Sequence, residues 1–132
     1  MSRIKTVCLC SALALGLAGL AASASADDYG PFKEMKTSLG KVLVDAKGMT
    51  LYTFDKDTAG TSNCYDTCAE NWPPAMASAN DKPTGDLTII KRKDGTLQWA
   101  DDGKPLYTFK HDAKPGDVTG DKKNDVWHVV SE

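Results

Sequence analysis

The sequence predicts a small all-β domain, a pseudo-twofold sandwich or flattened barrel of antiparallel hairpins, with one short helix near a pair of cysteines. Three observations predict it. A ten-residue word recurs at a fixed offset. Runs rich in β-branched and aromatic residues alternate with turns containing Gly and Asp. The 132 residues include a leader whose removal leaves a length suited to one domain.

The leader comes first in the chain. Arg3 and Lys5 form a positive n-region, Val7 through Ala22 an apolar stretch, and Ala24-Ser25-Ala26 a small-residue cleavage site. This is the pattern of a secretory signal peptide, so the mature chain is expected to begin at Asp27 in the periplasm or outside the cell. Cys8 and Cys10 leave with the leader. The expected organisation is a signal peptide at 1–26, an N-terminal arm at 27–38 and a single β domain at 39–132. Arg3 and Lys5 also leave, so the 16 basic residues fall to 14 against 18 acidic ones. That balance argues against nucleic acid as a partner. After cleavage no apolar run is long enough for a transmembrane segment. A monomer is expected, with an unknown envelope protein or small ligand as partner.

The recurring word organises the rest of the chain. Gly48-Met49-Thr50-Leu51-Tyr52-Thr53-Phe54-Asp55-Lys56-Asp57 matches Gly103-Lys104-Pro105-Leu106-Tyr107-Thr108-Phe109-Lys110-His111-Asp112 at an offset of 55 residues. Trp72 and Trp127 keep the same offset, so the register is expected to run without a gap through the intervening segment. Two copies are too few for a solenoid, which points to two halves completing one core.

Lys41–Asp45 is a β-branched run, Ala46–Gly48 a turn, and Thr50–Phe54 an alternating strand, together a hairpin. Ser62 or Asn63 is positioned to cap a short helix over Cys64–Asn71, which Pro73-Pro74 would stop. Leu87–Arg92 reads as a strand, with Asp94-Gly95 as the hairpin turn into Thr96–Ala100. Asp101–Gly103 turns the chain into a strand over Leu106–Phe109. Lys110–Asn124 reads as a loop and Val126–Val130 as the last strand. In both copies Tyr and Phe stand two apart and share a face, with Leu and Thr on the other.

Cys64 and Cys68 are the cysteines left to the mature chain. An even number in an oxidising compartment favours a disulfide, worth about 2 kcal/mol for so short a loop. The sharper alternative is a copper-binding or thiol-redox site, because two soft sulfurs four residues apart suit copper. His111 and His128, the two imidazoles, would then be candidate third ligands. The Cys-x-x-Cys spacing of thioredoxin-like redox pairs is absent. Asp117, Asp121, Asn124 and Asp125 crowd one loop but lack the alternating ligands and central Gly of an EF-hand.

The two copies also carry a resemblance. Tyr52-Thr53-Phe54-Asp55-Lys56-Asp57 and Tyr107-Thr108-Phe109-Lys110-His111-Asp112 fit a Tyr-x-aromatic-x-x-Asp motif. The chain resembles the secreted bacterial repeat family, or predicted lipoproteins, defined by that motif and of unknown function. Cys64 to Ala69 and Trp72-Pro73-Pro74 are similar to further elements of the family. Many members are lipid-anchored, and this chain has no cysteine placed for that. The resemblance implies a fold family and no reaction.

The remaining expectations rest on residue type. Asp57 and Asp112 are expected to accept backbone N–H bonds in the turns after their strands. A hydrolase would instead need one of them joined to another titratable group in a pocket. Trp72, Trp99 and Trp127 are the aromatics expected to bind a ligand if they are partly open at the seam between halves. No catalytic residue stands out. The reading is therefore a non-enzymatic binding or envelope accessory module without cofactor, with copper on Cys64 and Cys68 as the alternative.

Overall fold

A computed structural model describes residues 29–131. The expected signal peptide and its cleavage site lie outside the described residues. The strands are β1 (Lys33–Thr37), β2 (Gly40–Val44), β3 (Tyr52–Phe54), β4 (Met76–Ala77), β5 (Leu87–Lys91), β6 (Leu97–Asp101), β7 (Lys104–Pro105) and β8 (Trp127–Val129). One helix, α1 (Thr67–Asn71), precedes β4, and a 3-10 turn over Lys123–Asp125 precedes β8.

All pairing among these strands is antiparallel. β1 pairs with β2, β3 pairs with β8, and β6 lies between β4 and β5 with β7 also on it. The sheets are short and do not close, so the flattened-barrel form of the expectation is not what the residues build. Lys33–Thr37, read as part of an N-terminal arm, is a strand. Its backbone has a partner because Gly40–Val44 folds back on it in register, Lys33 opposite Val44 and Thr37 opposite Gly40.

The two repeats are related by a pseudo-twofold that shows in the backbone hydrogen bonds. Tyr52 and Tyr107 exchange both of theirs, at 2.8 and 3.0 Å. On either side the partners swap repeats. Val130 N–H donates to Leu51 O while Ala75 N–H donates to Leu106 O. Asp55 N–H donates to Val126 O while Lys110 N–H donates to Asn71 O. Adding 55 to one residue of each bond and subtracting it from the other converts it into its mate. Each motif strand thus lies beside the tail of the other repeat, not beside its own. Residues 106–109 hold this position through isolated bridges, Tyr107 to Tyr52 and to Pro74, and not as the regular strand their composition suggests.

Because alternate residues face opposite ways, the motif strands separate two cores. Leu51 and Leu106 lie in one, with Leu43, Leu87, Trp99 and Val130. Tyr52, Tyr107 and Phe109 lie in the other, with Cys64, Trp72 and Trp127.

Candidate functional site

The motif residues meet in the second core, and they meet crosswise. Tyr52 Oη donates to Asp112 Oδ2 at 2.7 Å, and Tyr107 Oη donates to Asp57 Oδ2 at 2.7 Å. Each repeat supplies the phenol for the other's carboxylate. The expected turn bonds are also present. Asp57 Oδ1 accepts the N–H of Asn63, and Asp112 Oδ1 accepts both the N–H and the hydroxyl of Thr119. The first partner lies six residues after its Asp and the second seven. In the 55-residue register Asn63 corresponds to Val118 and Cys64 to Thr119, so the two carboxylates take donors from neighbouring positions of the repeat.

The surroundings of the two pairs differ. Tyr107 gives its proton to Asp57, so the 2.6 Å contact between Tyr107 Oη and Ser62 Oγ requires Ser62 to donate. Ser62 in turn accepts from Arg92 Nη1 at 3.1 Å. A run of hydrogen bonds thus leads from a cation through two hydroxyls to an anion. Arg92 is 6% exposed and also donates to Gln98 Oε1 and Cys64 O. Tyr52 has no such chain, and its oxygen accepts the N–H of Gly120 at 3.2 Å. Burial pushes both phenols well above the ordinary phenol range, and the Asp carboxylates they face push them further. Burial also raises the Asp57 carboxyl, while its bonds from Tyr107 and Asn63 oppose the rise.

Four rings stack between the pairs. Phe54 lies on Trp127 at 4.2 Å, Trp127 on Trp72 at 3.8 Å with 3° between planes, and Trp72 on Phe109 at 4.1 Å. The order alternates between repeats. Trp72, Trp99 and Trp127 are all buried. The first and last fill this stack, and Trp99 packs edge-on to Phe32 in the other core. None is partly open at the seam, the condition on which a binding role for it depended, because burying an indole against another ring is the more favourable use of its surface.

The cysteines form the Cys64–Cys68 disulfide. Both sulfurs are bonded, and His111 and His128 have other neighbours. His111 meets the edge of Phe109, and His128 Nε2 lies 2.8 Å from Asp55 Oδ2. Among the described residues no three His, Cys, Asp or Glu side chains gather where they would hold a metal ion. The helix expected over Cys64–Asn71 is shorter, α1 starting after Asp66, which makes no side-chain cap. Ser62 and Asn63 do not cap it, standing four and three residues before the N-cap position Asp66, and Ser62 Oγ is engaged with Tyr107 and Arg92.

Among the described residues, two hollows lie on the Asp57 side. One hollow of about 250 Å³ is lined by Phe54, Asp55, Asp57, Asp102 and Lys104, among others. A second, of about 310 Å³, shares Thr53, Asp102 and Lys104 with it and adds Asp86, Asp101 and Ser131. The Asp101 carboxyl is raised by burial and by its neighbours Asp86 and Asp102. Together the hollows make a groove with five carboxylates and one ammonium, its first part also lined by Phe54, Ala59 and Pro105. Phe54, Asp55 and Asp57 of the first copy of the recurring word and Gly103, Lys104 and Pro105 of the second line it, but the spacing of the copies does not announce that these segments meet around one hollow. Ser62 and Arg92 are likewise invisible from spacing as partners of Tyr107, since neither belongs to the recurring word.

A family described as a secreted repeat of unknown function matches the chain twice, at residues 33–76 and 88–131. The two matches stand 55 residues apart, the offset of the hydrogen-bond exchange. No curated protein and no solved structure matches the chain. No helix among the described residues is long and apolar enough to cross a membrane.

Proposed function

Because the chain belongs to a family of secreted repeats of unknown function, we propose that it is an exported, non-enzymatic binding module of the cell envelope, acting in the periplasm or outside the cell. The observation that carries this reading is the groove over Thr53–Ala59 and Asp101–Lys104. The motif carboxylates, Asp57 in its wall and Asp112 away from it, are both held by hydrogen bonds within the protein, which suits a scaffold. A small polar ligand or an extended segment of an envelope protein fits such a surface, and excess negative charge favours a cationic one.

The test is an NMR titration of the exported chain with spermidine, a trilysine peptide, glucose and citrate. Saturating shifts at Thr53–Ala59 and Asp101–Lys104, strongest with the cations, support the reading. Silence at those amides with all four probes, or turnover of a probe, overturns it. The rival copper reading requires free sulfurs at Cys64 and Cys68. Native mass spectrometry of periplasmic protein separates the two. A chain two hydrogens light without adduct favours the module, and a stoichiometric copper adduct favours the rival.

A further inference from the structure

The binding reading makes no use of the groups at the centre of the second core. Trp72 and Trp127 lie face to face, 3.8 Å apart and parallel within 3°. Tyr52 meets Trp72 edge-on at 5.2 Å, and Tyr107 meets Trp127 edge-on at the same distance. Indole and phenol are among the side chains that lose one electron most readily. Stacking two indoles lets the positive charge spread over both. A buried phenol gives up an electron readily only if its proton leaves with it, which needs a base within hydrogen-bond reach. Both phenols have one, Asp112 and Asp57, each at 2.7 Å.

We propose that this core is a sink for one-electron oxidation, in which the Trp72–Trp127 pair loses the electron and Tyr107 holds the resulting radical. The incoming oxidant is a one-electron species such as a peroxyl radical. It takes one electron from the indole pair, is itself reduced, and leaves the pair as a radical cation. Tyr107 then passes an electron to the pair and its phenolic proton to Asp57 Oδ2. The indoles are restored, Tyr107 is a neutral phenoxyl radical and Asp57 a neutral acid. A one-electron donor of the ascorbate or thiol class returns the electron, and Asp57 returns the proton.

Tyr107 is favoured over Tyr52 for two reasons. Asp57 is half-buried and lines the groove, so its proton exchanges with water, whereas Asp112 is 6% exposed. The Tyr107 oxygen also accepts from Ser62 at 2.6 Å, against 3.2 Å from the Gly120 N–H to Tyr52. That closer donor remains on the oxygen after the proton has left. The inference does not depend on the groove having a ligand.

The test uses the exported chain with Tyr29→Phe and Tyr65→Phe, which leaves Tyr52 and Tyr107 as its tyrosines. Photo-oxidised ruthenium tris-bipyridyl serves as the oxidant, with transient absorption and freeze-quench EPR as readouts. The broad indolyl band should decay into the sharp tyrosyl band, more slowly in D2O because a proton moves in that step. Adding Tyr107→Phe should lengthen the indolyl lifetime at least about tenfold and remove most of the tyrosyl signal, while Tyr52→Phe should leave most of it. An indolyl radical that never passes to tyrosine, or an equal tyrosyl yield with Tyr107→Phe, overturns the proposal. Should Tyr107→Phe fail to fold, the isotope effect in the parent decides, and its absence overturns the proposal as well.

Discussion

Tyr107 with Asp57 and Tyr52 with Asp112 are the same motif contact made twice, at the same 2.7 Å, in different company. The first is backed by Ser62 and a buried guanidinium, and its carboxylate borders the groove. The second is backed by the Gly120 amide, and its carboxylate is buried against Thr119. The segments between motif and tryptophan differ in parallel. In the first repeat a disulfide and a short helix lead to Trp72. In the second, Lys122, Asn124 and Asp125 adopt left-handed backbone conformations on the way to Trp127. The recurring word thus fixes the phenol, the carboxylate and the outer rings Phe54 and Phe109 of the stack, and the 55-residue offset fixes Trp72 and Trp127 between them. Each pair satisfies its leftover hydrogen-bonding capacity with whatever the loop after its carboxylate provides, Ser62 and Asn63 in one case and Thr119 and Gly120 in the other, and the carboxylate of the first pair borders the groove.

The largest effect is expected where the first pair's support is removed. Arg92→Met leaves the oxygens of Ser62, Gln98 and Cys64 without their donor and Asp57 without its relayed cation, which should destabilise the fold by about 3 kcal/mol. Urea unfolding measures it, and a loss below about 1 kcal/mol would mean the chain of hydrogen bonds contributes little.

Next comes the second pair's support. A Cβ on Gly120 would meet Trp72 Cη2 at 2.6 Å and Phe109 Cδ2 at 2.9 Å, both parts of closely packed rings. Gly120→Ala should therefore cost about 2 kcal/mol by overpacking and disturb the near-ultraviolet circular dichroism of the stack. An unchanged spectrum and melting point would show that the stack gives way more easily than its packing implies.

A double-mutant cycle tests the crossing itself. Tyr107→Phe with Asp57→Asn should show a coupling of about 1 kcal/mol. Tyr107→Phe with Asp112→Asn, a pairing within one repeat, should be additive to within about 0.5 kcal/mol. Equal couplings would contradict the exchange of partners.

The smallest expected effect concerns the groove beside the first pair. The Asp101 carboxyl is raised in the folded protein, so the folded state holds that proton more tightly than the unfolded chain, and stability falls as pH rises through its titration. Asp101→Asn should then stabilise by about 0.5 kcal/mol at neutral pH, after allowance for solvent screening, and the gain should vanish in acid where Asp101 is protonated. Melting curves against pH check this. A gain that persists in acid would place its origin in packing and not in charge.

Much of this architecture is legible in the residues. The offset of 55 locates the pseudo-twofold, and the spacing of Tyr52 to Phe54 and Tyr107 to Phe109 assigns one face of each strand to an aromatic core. Asp94-Gly95 marks a hairpin that forms, with Arg92 N–H donating to Thr96 O. What sequence spacing does not carry is which copy a residue faces. Tyr52 has two motif carboxylates within the same chain, and only the return of β8 beside β3 assigns it the distant one. Partners outside the word, such as Ser62 and Arg92, leave no periodic trace. The local pattern misplaces the helix cap because Ser62 meets Tyr107 in the interior, where its hydroxyl closes a buried network.

The crossing also bears on how the chain reaches its final form. Asp112 lies 60 residues beyond Tyr52, and Tyr107 lies 50 beyond Asp57. A chain that has emerged only as far as the first repeat has its phenol without an acceptor, its carboxylate without that phenol and Trp72 without Trp127. Commitment to the native state must wait for the second repeat, and long loop closures of this kind slow it further. For a secreted protein, that delay keeps the nascent polypeptide pliable until nearly all of it has been delivered.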